Sequence, residues 1–243
     1  MKVAYVGGCQ LVGNPIGAAL AFPSLIEADL AAMGIRVESV ILQPTVAHQL
    51  QAILTFVDET QPDAIVLQLG NLETSLRIRS LVRRAIGLHG WRSEGSFNPA
   101  HDGGFDSRPS ASFDPSMLPS GIRAQARLRL HRWWLSRYVG TDRIARRIDM
   151  TALAVIAATA TPVFSLDPLP CADELVEGYR RAVRSALPVE PRDYDRIAVR
   201  ASDFRDRDPS AFADPYHLAA PGHRLIADLL IPYLSRTSSA VPG

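Results

Sequence analysis

Short apolar runs and longer segments of helical period take turns along this chain. KVAYVG (2–7) is short, apolar and ended by glycine, which predicts a buried strand. FPSLIEADLAAMG (22–34) predicts a helix stopped by Gly34. RVESVIL (36–42) alternates and is rich in β-branched residues, so it reads as a second strand. VAHQLQAILTFVDET (46–60) has helical period, DAIVLQLG (63–70) is a third buried strand, and ETSLRIRSLVRRAIG (73–87) is helical again. Further on, TPVFSLDPL (161–169) predicts a fourth strand and CADELVEGYRRAVRSAL (171–187) a helix. YDRIAVRASDF (194–204) holds a fifth strand, and APGHRLIADLLIPYLS (220–235) is the last helix, with Pro221 near its start. The tail RTSSAVPG is expected to fray. The chain has no internal repeat.

Strands alternating with helices over short links imply right-handed crossovers and a parallel sheet. The expected architecture is a single α/β domain over 1–243, three layers deep, with a doubly wound five-stranded sheet. In such sheets ligands bind beyond the carboxyl ends of the strands. Cys9 and Asn71 both follow predicted strand ends, so the pattern places them on one rim.

The alternation is interrupted over 88–150, which reads as a long insertion. Its first part, 88–121, is dense in Gly, Ser, Pro and Asp yet keeps Trp91, Phe97, Phe105 and Phe113. A loop of that length with aromatic residues reads as a lid over the rim or a mobile surface loop. The second part, 122–150, is one long helix or two, continuing to about residue 159. It carries Arg123, Arg127, Arg129, Arg132, Arg137, Arg143, Arg146 and Arg147. Such a row is either a solvated face or a docking face for an acidic or phosphate-bearing partner.

Composition narrows the class. With 243 residues, 47% hydrophobic and 21% charged, the chain can bury a sizeable core. A net charge of +1 gives no reason to expect nucleic acid. The longest apolar run, near 150–166, is broken by Thr159, Thr161 and Pro162, too short to span a membrane. No basic segment followed by an apolar one opens the chain, and two cysteines make no disulfide framework, so a cytoplasmic protein with free thiols is expected. His48, His89, His101 and His131 lack metal-ligand spacing, and phosphate-binding glycine loops are absent. Neither a metal nor a cofactor is expected.

The chemistry concentrates at the two ends. DPYHLAAPGHRLIADLL (214–230) sets Asp214 three residues before His217, just ahead of a helix. One turn can then supply a base and the carboxylate that fixes its tautomer and stabilises imidazolium. VGGCQ (6–10) offers a thiol after the first strand, and QLGN (68–71) a side-chain amide after the third. These three stretches together resemble the SGNH, or GDSL-type, hydrolase family. VGGCQ stands where that family has Gly-Asp-Ser-Leu, QLGN where it has Gly-x-Asn, and DPYHL matches its Asp-x-x-His-Leu. TPVFSLDPLP is similar to the family's fourth strand. The resemblance covers nearly all of the chain except about 88–150. It implies a flavodoxin-like SGNH hydrolase fold and an acyl-transfer enzyme, a hydrolase of esters or thioesters or an acyltransferase.

The departures from the pattern shape the expectation. Cys9 replaces the family serine, Gly8 the aspartate before it, and Leu69 the first glycine of the third block. LQPTVAH (42–48) lacks the glycine whose N–H helps bind the oxyanion. The resemblance therefore implies Cys9, His217 and Asp214 as a triad, with the Cys9 N–H, the Asn71 amide and Thr45 N–H as oxyanion donors. Gln10, Trp91 and Arg127 are candidates for contact with substrate or partner. The substrate would be a small acyl compound, free or carried by CoA or a carrier protein. Two alternatives stay open: a non-catalytic binding protein of the same fold, and Cys9 as a small buried hydrophobe.

Overall fold

The structure is a computed structural model describing residues 1–43, 45–74, 140–189, 192–200, 204, 209–214 and 216–240. These fall in one compact unit, Met1–Val82 with Gly140–Gly243. The second unit, Arg83–Val139, lies outside the described residues, and with it Trp91, Arg127, the 88–121 segment and most of the Arg-rich segment. All but the start of the helix expected over 73–87 is outside them too.

Five strands form one parallel sheet: β1 (Lys2–Gly7), β2 (Glu38–Leu42), β3 (Ala64–Gln68), β4 (Val163–Leu166) and β5 (Asp195–Ile197). Their spatial order is β2-β1-β3-β4-β5. The helices are α1 (Phe22–Ala32), α2 (Leu50–Thr60), α3 (Thr141–Ala158), α4 (Glu174–Ala186) and α5 (Ala220–Ala240). The result is the expected three-layer α/β/α architecture, doubly wound about β1.

Side-chain alternation splits the core between the two faces. Val3 and Tyr5 of β1, Ala64 and Val66 of β3, and Phe164 and Leu166 of β4 join one cluster with Phe22, Ile26 and Leu30 of α1 and Ile226, Leu230 and Leu234 of α5. The intervening Ala4, Val6, Ile65 and Leu67 are equally buried but belong to the opposite face. α3 packs against α2 and α4 in the second helical layer. Because β1, β3 and β4 are covered on both faces, their sequences read as continuous apolar runs rather than alternating ones.

Three boundaries differ from the sequence expectation for local reasons. α2 begins at Leu50 rather than residue 46, because 45–49 is a turn. There Val46 N–H donates to Gln49 Oε1 at 3.0 Å and Ala47 N–H donates to Glu73 Oε1 at 2.6 Å. α3 starts after Gly140, whose φ of 99° is outside helical geometry. Ala145, Ile148, Ala152 and Val155 of α3 are buried, so 141–150 belongs to the sheet-covering layer. α5 runs to Ala240, through residues expected to fray. Its last turns are tied by Arg236 Nε and Thr237 Oγ1, which donate to the Pro232 and Tyr233 carbonyls, and Arg236 lies 4.9 Å over the Tyr233 ring.

Candidate active site

The order β2-β1-β3 puts the winding reversal between β1 and β3, the place where doubly wound sheets bind ligands. Gly7 pairs with Gln68 at the carboxyl end of that strand pair. A Cβ on Gly7 would lie 2.5 Å from the Gln68 carbonyl oxygen, so only glycine lets the strands close here. Gln68, itself 1% exposed, accepts the Gly8 N–H on its Oε1 at 3.1 Å. The chain then turns into a single 3-10 turn, Cys9–Val12. Cys9 is its first residue, half-buried, and no disulfide engages it. The first N–H to find an acceptor within the turn is that of Leu11, on the Gly8 carbonyl at 3.1 Å.

Two residues past β3 stands Gly70 with φ 94°, and a Cβ there would lie 2.7 Å from Pro168 Cγ and 2.8 Å from Ile148 Cδ1. This tight reversal delivers Asn71. Its Oδ1 accepts the Leu169 N–H at 2.7 Å, which turns the NH₂ end of the amide the other way. Thr74 Oγ1 donates to the Asn71 carbonyl at 2.9 Å, and Glu73 accepts the Gly70 N–H at 2.9 Å. Burial pushes the Glu73 carboxyl up, against its hydrogen bonds from Ala47 and Gly70.

Asp214 and His217 form a self-contained turn. Asp214 Oδ1 accepts the N–H groups of Tyr216 at 2.7 Å and His217 at 2.9 Å, while Oδ2 meets His217 Nδ1 at 2.7 Å. Ala213 N–H donates to the His217 carbonyl at 3.0 Å, and Ala219 N–H to that of Ala211 at 2.8 Å. Gly222 in α5 lets that loop sit close, since a Cβ there would fall 2.3 Å from the Ala211 carbonyl oxygen.

Cys9 lies close enough to the ring of His217 to act on its proton, and its influence does most to raise the His217 pKa, to about 9. Burial opposes the rise, and the charges of Cys9 and Asp214 add to it. Nδ1 is taken by Asp214, so Nε2 is the nitrogen that meets the thiol. For Asp214, burial favours the protonated form, but hydrogen bonds from Tyr216 and His217 outweigh it and hold the carboxylate below its usual range.

The structure thus brings Cys9, His217 and Asp214 into one chain of contacts. Thr45 does not join them as a donor. Its N–H is held by the Gly7 carbonyl at 2.9 Å and its hydroxyl by the Leu42 carbonyl at 3.3 Å, so the extended segment after β2 consumes the group the sequence reserved for an oxyanion. Gln10 is likewise turned inward, 3% exposed, with its amide on the backbone of Tyr216 and Leu218.

Several neighbours lie outside the motif stretches VGGCQ, QLGN and DPYHL. His223 is fully buried: its Nδ1 accepts the Phe22 N–H at the start of α1 at 3.3 Å, and its ring stacks on Phe22. Burial, then the charge of His217, lowers its pKa to about 4. Arg180 and Arg184 of α4 donate to the carbonyls of Leu169 and Pro168 at 2.8 and 2.7 Å, and Arg184 pairs with buried Glu177. Cys171 is buried beside them, its thiol pushed up to about 12 by that burial. Among the described residues no cluster of three His, Cys, Asp or Glu is placed to hold a metal, and no helix is long and apolar enough to cross a membrane.

No family model and no curated protein matches the chain. Solved structures share its fold from end to end. The structure of TesA superposes with TM-score 0.55 at 12% identity, covering 98% of this chain and 99% of that one. A family 3 carbohydrate esterase from Clostridium thermocellum gives 0.54 at 13% identity, covering 100% and 99%. The acetyl xylan esterase AlAXEase gives 0.53 at 13% identity, covering 96% and 100%.

Proposed function

We propose that this chain is an SGNH-type enzyme of acyl transfer that works through a covalent acyl-Cys9 intermediate. The observation that carries the reading is His217, held between the Asp214 carboxylate and the Cys9 thiol at the winding reversal of the sheet. The esterases among the structures of the same fold support the reaction class.

An imidazole whose pKa lies near 9 is protonated at neutral pH, beside an ionised Asp214. Either this pair favours sulfur in its nucleophilic, ionised form, or His217 takes the thiol proton as the sulfur attacks. The sulfur attacks the acyl carbonyl carbon; a C–S bond forms and the carbonyl electrons move onto oxygen. The Cys9 N–H and the Asn71 NH₂ donate to that oxyanion. On collapse, the leaving group departs with the proton of His217 Nε2. Neutral His217 then takes a proton from water or another acceptor, which attacks the thioester, and the C–S bond breaks to free the sulfur. Asp214 stays ionised throughout and holds the ring in place. A thioester reacts more readily with amines than an oxygen ester does. The site therefore suits transfer to an acceptor as well as hydrolysis, with the acyl group arriving as an ester or on CoA or a carrier protein.

Intact-mass measurement after exposure to p-nitrophenyl acetate tests this. One acetyl adduct is expected, present in the wild type and absent in Cys9→Ala. An adduct that persists in Cys9→Ala moves the chemistry elsewhere, and no adduct in either protein favours a binding protein of the same fold.

A further inference from the structure

Gln10 follows the thiol in sequence and faces away from solvent. Its Nε2 donates to the Tyr216 carbonyl at 3.3 Å, and its Oε1 accepts the Leu218 N–H at 3.4 Å. Those two backbone groups flank His217 on either side. One side chain therefore grips the turn that carries the imidazole, while its own backbone is the turn that carries the thiol. The grip crosses 208 residues of sequence. The two turns are otherwise secured to different partners: Gly8 to Gln68 beneath the sheet end, and His217 to Asp214 and Ala213 within its own loop.

We infer that Gln10 is a positioning residue, a two-pronged strut that sets the distance between the Cys9 sulfur and the His217 ring; this rests on the proposed Cys9–His217 pair. A thiolate–imidazolium contact needs such a strut because it weakens steeply with separation and misalignment. A buried glutamine suits the task. It offers one donor and one acceptor in a fixed plane, matching one carbonyl and one N–H of the histidine turn.

Two readouts test this without a known substrate: the rate of Cys9 alkylation by iodoacetamide across pH, and the titration of the His217 ring by NMR. The wild type should alkylate fast at pH 7, with an imidazole midpoint near 9, and His217→Ala should abolish the rate advantage. If the wild type alkylates no faster than a free thiol, the underlying pair is refuted and the strut with it. If the pair holds, Gln10→Ala should slow alkylation at least tenfold and lower the His217 midpoint toward its ordinary value. Gln10→Glu offers both a donor and an acceptor only while its carboxyl is protonated, so it should follow the wild type at acid pH and fall toward Gln10→Ala as that carboxyl ionises. An unchanged midpoint and rate in folded Gln10→Ala overturn the positioning role while leaving the pair intact. Should Gln10→Ala fail to fold, Gln10→Glu decides: a wild-type profile at acid pH that collapses as the new carboxyl ionises supports the strut, and indifference to pH refutes it.

Discussion

His217 lies between two groups that both favour its charged form, and they act unequally. The contact with Cys9 comes first among the causes of its raised pKa, ahead of Asp214. The two substitutions should therefore differ. Cys9→Ser removes an ionisable partner and should bring the His217 midpoint down from about 9 to near its ordinary value, whereas Asp214→Asn should lower it less. A histidine NMR titration of the three proteins checks the order; a larger drop in Asp214→Asn would contradict it. At this scale the sequence was legible only where partners are neighbours. The Asp214–His217 pair is set by a three-residue spacing and forms as the spacing requires. Gln10 could not be assigned the same way, because its two acceptor and donor groups belong to residues far along the chain. Thr45 was misassigned for the same reason: nothing local says that Gly7 claims its N–H.

Single elements carry the site through their ends. The reversal after β3 depends on Gly70, whose backbone is left-handed and whose missing Cβ leaves room for Pro168 and Ile148. Gly70→Ala would meet both strain and a clash, with an expected cost of about 2–4 kcal/mol in urea unfolding. A change under roughly 0.5 kcal/mol, the range of an ordinary surface substitution, would show that the turn can relax. Strand and helix positions were readable from periodicity because β1, β3 and β4 are buried on both faces and α1, α2 and α5 on one. Their ends were not. The start of α2 is set by Gln49 and Glu73, and the end of α5 by Arg236 and Thr237, through side-chain bonds that leave hydrophobic patterning unchanged.

At the scale of the whole molecule, two histidines of one stretch titrate in opposite directions. His217 binds its proton more tightly folded than unfolded, so its contribution to stability is complete below about 6.5 and is lost as pH rises through about 9. His223 is held neutral, down to about 4, so the unfolded chain takes up a proton first and stability falls as pH drops below about 6.5. Thermal unfolding should thus peak near pH 6.5. His217→Ala should flatten the alkaline limb and His223→Phe the acid limb; limbs unchanged in both variants would refute the assignment. The loop after β4 rests on a buried ion pair, Glu177–Arg184. Glu177→Ala would leave a buried guanidinium without its partner, at about 3–5 kcal/mol, which lowers Tm by roughly 6–20 °C for a chain of this size.

The grip of Gln10 on Leu218 has a consequence in time. A ribosome adds about 5–20 residues each second, so the 208 residues between them take roughly 10–40 s to make. During that interval the thiol is already outside the ribosome while its imidazole has not yet been synthesised. On the function proposed above, the nascent chain therefore carries a thiol without its catalytic partner, and the pair comes into being only when the last helix docks.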